Sequence, residues 1–400
     1  MKIGIIREGK NPPDARVPLT PMQCANLIHQ KRLNLVVQTS PIRCYKDEEY
    51  SSLDVPVVAD VADCDILLGV KEVPINQLIP NKTYLFFSHT IKKQAYNQQL
   101  LKNILAKNIT LIDYEVLTNE KGQRVIAFGH FAGMVGAYNG LYTYGKRTET
   151  FDLKRMYQCH DYEEAAQQFK DLKLPPIKIV LTGTGRVAGG AVQVLKDMSI
   201  PQISPKVFLQ KEFDHAVFTQ LDCHHYVQRK NGADFNLHHF FKEPDQYKSI
   251  FAPYTKSADL MINGIYWDNK APAFFTKQEM AAPSFKLKVI ADVTCDIAPV
   301  SSIPSTLRAT TIPDPVFGYD PKTTTETSPY QSNVIDMMTI DNLPNELPRD
   351  ASKAFGEQFI SSVLDDLLNP QSNGVTHRGT IAKRGKLTKL FSYLKDYANQ

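Results

Sequence analysis

The stretch that most constrains this chain is LPPIKIVLTGTGRVAGGA, residues 174–191. A Pro-punctuated loop leads into a buried strand, Ile177–Leu181, and a glycine loop then opens a helix. The loop fits G-x-G-x-x-[GA], with Gly183, Gly185 and Ala188 in the three key positions and Arg186 and Val187 between them. Gly183 allows the tight turn, Gly185 lets the backbone approach a pyrophosphate, and Ala188 keeps the helix close to the strand. The helix N-terminus adds amide donors and a positive dipole end. A glycine trio alone is a weak signal. The strand before it and the helix after it make this one an expected dinucleotide-binding turn, and the fold class α/β.

The same lobe contains SADLMINGIYW (257–267) and LKVIADVT (287–294). Both read as buried strands running into polar ends, where a cofactor lies in an open parallel sheet. That places Ile265, Tyr266, Asp292 and Val293 on the cofactor side. In SPKVFLQK (204–211) no Asp or Glu closes a second strand to hold a ribose 2′-hydroxyl, and Lys206 and Lys211 stand nearby. This leaves NADP at least as open as NAD. Residues 210–256, polar and carrying His224–His225 and His238–His239, read as an insertion covering one edge.

Residues 1–145 alternate short apolar runs with amphipathic ones. KIGII (2–6), LNLVV (33–37), DILLGV (65–70), TYLFFS (83–88), ITLIDY (109–114) and RVIAF (124–128) read as strands, with helices at Met22–Gln30 and Lys93–Ala106. Near-continuous apolar strands between helices imply a parallel sheet covered on both faces. Gly133, Gly136 and Gly140 line one face of a helix over Phe131–Tyr144, which implies tight helix packing. After Thr311 the text turns Pro- and Asp-rich. A helix is expected over Arg349–Leu368 and a basic amphipathic docking helix over Thr380–Tyr397, both returning to the first lobe. The expected organisation is a substrate domain (1–145 plus 345–400) and a dinucleotide-binding Rossmann domain (170–344, insertion at about 210–256). Two Rossmann-like lobes with parallel sheets then leave an interlobe cleft, where ligands usually bind.

Three of the first lobe's strands end on polar residues: Lys71-Glu72, His89 and Glu115. Ligands in open α/β sheets bind beyond the carboxyl ends of strands, so these four gather at one rim, with Arg16 and Arg124 as neighbours. Histidine titrates near neutrality and a buried lysine is pushed toward it, while arginines clamp carboxylates. Proton shuttles, a carboxylate-bearing substrate and a nicotinamide point to hydride chemistry at a carbon bearing nitrogen or oxygen. Composition serves to exclude other classes. A net charge of +4 on 400 residues does not argue for nucleic acid, and no run approaches about 18 uninterrupted apolar residues, so no membrane span is expected. MKIGIIREGK lacks an export signal's apolar region. The six cysteines form no CxxC pair, so reduced thiols in a cytoplasmic protein are expected. The paired histidines are the sole metal candidates, and no metal is expected.

The chain resembles, over nearly its whole length, the lysine–ketoglutarate reductase (saccharopine-forming) domain of the aminoadipic semialdehyde synthases. More distantly it is similar to saccharopine dehydrogenase and the alanine dehydrogenase/transhydrogenase group. The stretches that carry this are DARVPLTP (14–21), TYLFFSHTIKKQ (83–94), LIDYE (111–115), RVIAFGHFAG (124–133), FTQLDCHHYVQRKNGADFN (218–236), INGIYW (262–267), TTIPDPVFGYD (310–320) and DNLPNELPRDAS (341–352). The resemblance implies two Rossmann-like lobes, with Lys71 and His89 as an acid–base pair modulated by Glu72 and Glu115. Arg16, Arg124 and Phe128 would line the substrate site, and Gly183, Gly185, Asp292, Val293, Asp341 and Leu343 the cofactor side. The implied reaction, in lysine metabolism, condenses lysine with 2-oxoglutarate and reduces the imine with NAD(P)H, or runs in reverse. The alternatives are alanine or another opine-like substrate pair, and a non-catalytic nucleotide-binding homologue. The amphipathic C-terminal helices suggest a homodimer.

Overall fold

The computed structural model describes residues 1–371 and 373–399. They divide into two compact units, residues 1–128 with 348 onward, and residues 129–347. In the first, the parallel strands β1 (Lys2–Ile5), β2 (Asn34–Gln38), β3 (Val57–Val58), β4 (Ile66–Leu68), β5 (Thr83–Phe86) and β6 (Thr110–Asp113) lie in the order β6-β5-β4-β1-β2-β3. Their apolar residues, such as Leu68, Leu85 and Leu67, are buried on both faces, as a helix-covered parallel sheet requires. The helix Pro21–Lys31 starts where the chemistry of its first turn dictates. Thr20 and Gln23 form a reciprocal capping box, and Pro21 occupies a position that needs no donor. Chain order runs from β1 to β2 on one side and later from β4 to β5 on the other. The carboxyl ends of β1 and β4 therefore flank a topological switch point.

The second unit opens with the helix Gly129–Thr148. A Cβ on Gly133 would lie 1.7 Å from the Val187 carbonyl oxygen, and one on Gly190 1.9 Å from that of His130. Glycine on both sides lets the helices Gly129–Thr148 and Arg186–Asp197 touch backbone to backbone, the packing role expected of the small-residue stripe. That contact places the helix with the second unit, so the division falls after Phe128 rather than near 145.

The strands of this unit are β7 (Lys178–Thr182), β8 (Val217–Leu221), β9 (Val227–Arg229), β10 (Tyr247–Ser249), β11 (Leu260–Asn263), β12 (Val289–Asp292), β13 (Val316–Asp320), β14 (Thr325–Thr327) and β15 (Ile335–Met338). The main sheet runs β14-β13-β15-β12-β11-β7-β8, parallel from β15 to β8, while β9 and β10 pair separately. Two expectations are corrected here. Residues 205–210 are helical, capped by Ser204. The second parallel strand is β8, inside the segment expected to be insertion, which therefore begins only after it.

The chain then returns to the first unit through the helices Pro348–Ser362 and Leu364–Leu368, broken at Val363. The expected terminal helix over Thr380–Tyr397 is instead a hairpin, β16 (Thr380–Lys383) and β17 (Lys386–Leu387), followed by a 3₁₀ turn and a short helix, Lys395–Asn399. Arg384 and Gly385 take the positive φ that such a tight turn needs. β16 pairs antiparallel with β6, taking the sheet position beside that strand. RVIAF is accordingly not a ladder strand. Arg124 makes a single bridge to Thr118, and the Ala127 amide donates to the Gln358 side chain. No helix among the described residues is long and apolar enough to cross a membrane.

Candidate active site

The site in the first unit is built on the carboxyl ends of β1, β4, β5 and β6, which are neighbours in the sheet. Beyond β1, Glu8 is buried and its two carboxylate oxygens accept the amides of Val70 (2.6 Å) and Lys71 (2.9 Å). This joins the ends of β1 and β4 across the switch point and fixes the backbone from which Lys71 projects. Burial, reinforced by Asp14, lifts the Glu8 carboxyl to about 8 despite those two amides. Burial also lowers the Lys71 ammonium, and the positive charge of Arg16 adds to the effect.

Glu72 turns the opposite way. Its Oε2 accepts from Lys10 Nζ at 2.7 Å, and its Oε1 accepts from His89 Nδ1. Burial alone would raise the Glu72 carboxyl. The hydrogen bond and charge of His89, with those of Lys10, overrule it and hold the group at about 2. A carboxylate so held makes Nδ1 the donor, which leaves His89 Nε2 for a substrate. His89 itself has φ 53°, an uncommon left-handed conformation outside glycine, at the turn after β5. Its ring stacks at 6.4 Å on Phe87.

At the end of β6, Asp113 is fully buried and accepts from the Ser88 amide and hydroxyl and from the Glu115 amide (2.7 Å). Burial lifts its carboxyl to about 6 even so. Glu115 lies 3.6 Å from Lys92 Nζ and 3.9 Å from Arg124, while its Oε2 is buried without a hydrogen-bond partner. Arg16 is 2% exposed and forks onto Asp14 at 2.9 and 2.6 Å, with its guanidinium 4.2 Å above the Phe128 ring. Phe128 in turn stacks on Phe355 at 5.1 Å. Lys71, Glu72, His89, Glu115 and Arg124 therefore share one rim, flanked by the buried Arg16 and the half-buried Phe128. Sequence reasoning passed over Glu8 and Asp113. The end of β1, in KIGIIREGK, carries the same apolar-to-charged signal as the other strands.

In the second unit, Gly183 has φ 100°, and a Cβ there would meet the Gly264 carbonyl oxygen at 2.6 Å. Only glycine fits this turn. Around Gly185 there is open space, and no side chain caps the helix Arg186–Asp197, so the turn can admit a phosphate group. Val187 packs against Gly129 and Gly264. Asp292 is fully buried, accepting from Asn263, Thr294 and Thr306 at 2.6–2.9 Å. Its carboxylate thus shapes the loop and is not presented to solvent. Val293 packs on Gly136, and Leu343 is buried in the core. Ile265 is half-buried, whereas Tyr266 is 93% exposed and Asp341 is exposed.

An acidic residue does follow the second parallel strand: Asp222, immediately after β8. Its Oδ1 accepts from the Cys223 amide, and its Oδ2 lies 3.7 Å from His224 Nδ1. The His225 ring accepts from the Asp222 amide at 3.1 Å. Among the described residues no group of three His, Cys, Asp or Glu side chains is placed to hold a metal ion.

Two Rossmann-like α/β units, one with a charged rim and one with a glycine turn, define the class of protein. Residues 4–135 match the family model "Alanine dehydrogenase/PNT, N-terminal domain". The chain as a whole is homologous to the aminoadipic semialdehyde synthases and saccharopine dehydrogenases. It is 29% identical to alpha-aminoadipic semialdehyde synthase of Arabidopsis thaliana over 98% of this chain and 41% of that protein. It is 28% identical to saccharopine dehydrogenase [NAD(+), L-lysine-forming] of Emericella nidulans over 90% of each. The chain spans less than half the length of the synthases it matches. An L-alanine dehydrogenase structure shares the fold, with TM-score 0.66, 14% identity and full coverage of both chains.

Proposed function

We propose that this chain is an NAD(P)-dependent oxidoreductase of the saccharopine dehydrogenase type. It would join the amine of lysine to 2-oxoglutarate by reductive condensation, or run the reverse oxidative deamination. The observation that carries this reading is Lys71, an ammonium lowered by burial whose backbone Glu8 holds at the β1/β4 switch point. Beside it stands the Lys10–Glu72–His89 chain.

The chemistry needs protons removed from an amine and delivered to a departing carbinol oxygen, at positions a few ångströms apart. Lys71 can give up its proton closer to neutrality than an exposed lysine, and His89 offers Nε2 while Glu72 orients its ring through Nδ1. Lys10, Lys92 and Arg124 provide positive charge for saccharopine's three carboxylates. A nicotinamide dinucleotide, when bound, supplies the hydride. Gly183, Gly185 and the uncapped helix would hold its pyrophosphate. Asp222 would accept from the ribose hydroxyls, which favours NAD over NADP.

The test follows nicotinamide absorbance with lysine plus 2-oxoglutarate, and in parallel with pyruvate plus ammonia. Turnover is expected with the first pair, and Lys71→Met is expected to lower kcat by roughly 10²–10⁴-fold. Turnover only with pyruvate and ammonia would assign another amino acid. No turnover with either pair, alongside tight nucleotide binding, would overturn the enzyme reading.

A further inference from the structure

His89 belongs to the tripeptide Ser88-His89-Thr90, where the chain leaves β5. Its left-handed backbone conformation, φ 53°, is one that a histidine keeps only where its surroundings over-determine it. Glu72 holds the ring through Nδ1, but a hydrogen bond to the ring does not fix the backbone beneath it. That backbone is fixed from β6, the neighbouring strand.

Asp113 ends β6 opposite Phe86 in the parallel ladder, so its side chain reaches past the last paired residues toward Ser88. Oδ2 accepts from the Ser88 amide at 3.1 Å and from the Ser88 hydroxyl. With that proton committed, Ser88 Oγ accepts from the Thr90 hydroxyl at 2.8 Å and from the Thr90 amide at 3.3 Å. One carboxylate oxygen therefore fastens the residues on both sides of His89, Ser88 directly and Thr90 through Ser88. Oδ1 accepts from the Glu115 amide at 2.7 Å, which orients the carboxylate. Ser88, Thr90 and Asp113 are all fully buried. We propose that Asp113 is the positioning residue for His89, setting the backbone from which the ring meets Glu72 on one nitrogen and substrate on the other. The proposal rests on the reading of His89 as a ring that faces substrate.

The chemistry of this bracket separates it from an ordinary strand-end tie. Its donors are two amides and a hydroxyl, all neutral, and burial of a carboxylate among them lifts the Asp113 carboxyl to about 6. Capping the turn Tyr114–Val116 does not need that cost, because a Ser, Thr or Asn oxygen accepts the Glu115 amide as well. What needs a second acceptor oxygen is the Ser88 side. An asparagine that keeps its oxygen on the Glu115 amide turns Nδ2–H groups toward the Ser88 amide, donor against donor. Asp113→Asn therefore leaves the end of β6 capped and releases the bracket around His89.

The experiment labels the histidines of the full chain with ¹⁵N and reads the His89 ring, assigned through His89→Gln, at a pH where the ring is neutral. Kinetics with lysine plus 2-oxoglutarate are recorded on the same variants. The wild-type ring is expected to carry its proton on Nδ1, and Asp113→Asn to replace this with a mixture of both tautomers. The same variant is expected to lower kcat roughly 10–100-fold, as a misplaced proton carrier does, with the KM for the nicotinamide cofactor unchanged. In a His89→Ala background Asp113→Asn is expected to cost less than about twofold, since a residue that acts through His89 has nothing left there to position. Ser88→Ala, which keeps the amide bond and loses the hydroxyl, is expected to shift the tautomer and kcat in the same direction by less, and it decides the matter if Asp113→Asn does not fold. A tautomer unchanged in the variants, a wild-type ring with its proton on Nε2, or an equal loss of kcat in the His89→Ala background would each overturn the proposal. If neither lysine plus 2-oxoglutarate nor pyruvate plus ammonia turns over, the reaction reading falls, and the ring's tautomer still decides whether Asp113 positions His89.

Discussion

The proposed placement of the cofactor's ribose at Asp222 predicts a preference between NADH and NADPH that one substitution should reverse. Asp222 follows β8, its side chain is 43% exposed, and Oδ1 is already committed to the Cys223 amide. With the ribose placed as proposed, Oδ2 is the oxygen left to accept from its hydroxyls. Asp222→Asn keeps the shape and an oxygen for the Cys223 amide, but removes the charge. A hydrogen bond to a charged acceptor contributes about 1.5–3 kcal/mol against about 0.5–1.5 for a neutral one, so NADH should lose about 1–1.5 kcal/mol. NADPH carries nearly two further negative charges at the same place. At this exposure the water-like limit applies, about 1 kcal/mol per charge pair at 4 Å, so removing Asp222's charge should return about 1–2 kcal/mol to NADPH. The sum, roughly 2–3.5 kcal/mol, moves the NADH/NADPH affinity ratio by about 30–300-fold toward NADPH. Calorimetric Kd values for both cofactors, on wild type and variant at one ionic strength, measure it. A ratio that moves less than about threefold would refute the placement of the ribose at Asp222. A wild type that already prefers NADPH would refute the reasoning from charge.

Two further consequences concern stability. Gly133→Ala puts a methyl group 1.7 Å from the Val187 carbonyl oxygen, and the backbone on the other side has nowhere to go. At least the roughly 1–3 kcal/mol of an overpacked core should be lost, seen as a lowered Tm; Gly189→Ala, with nothing within 4 Å, should instead be neutral or stabilising by up to about 1 kcal/mol. An unchanged Tm for Gly133→Ala would mean the helices are not in backbone contact. Glu72, held at about 2 against 4.5 unfolded, contributes stability that is fully present above pH 4.5 and disappears as pH falls through 2. The shift corresponds to on the order of 3 kcal/mol at most. Glu72→Gln should therefore lower the urea midpoint at pH 6 and converge with wild type near pH 2; parallel curves across that range would exclude the Lys10–Glu72–His89 chain as drawn.

What the sequence made legible was whatever local chemistry decides. The glycine turn could be read because no other residue takes φ 100° against the Gly264 carbonyl. The strand ends could be read because a run such as DILLGV can only be a covered parallel strand, whose first polar residues must surface at its carboxyl end. What could not be read was decided by partners distant in sequence. RVIAF has a strand's composition, but β16, more than 250 residues later, takes the sheet position beside β6. Thr380–Tyr397 has a helix's periodicity, yet its first residues find that edge and pair with it. The second strand was missed for a related reason. SPKVFLQK looks apolar enough for a strand, but Ser204 caps a helix and Pro205 opens it. The true strand, VFTQL, hides in polar surroundings, and with it Asp222, the residue proposed to face the ribose.

Both units place their chemistry at a switch point, but they fix it differently, and the difference follows from what each must hold. In the second unit the ends of β7, β11 and β12 are tied by Thr182, Asn263 and Asp292, which bond one another at 2.8–2.9 Å and are fully buried. A turn meant to present backbone amides needs a rigid floor and no moving charge. In the first unit the tie is a titratable carboxyl, Glu8, bonded to the Lys71 backbone, next to a lysine that burial has already weakened as a base-bound proton carrier. The strand end is thus held by side-chain oxygens, which fix the backbone from which Lys71 projects. On the proposed reading, which asks for two proton transfers at neighbouring atoms, Glu8's hold on the backbone sets where Lys71 stands.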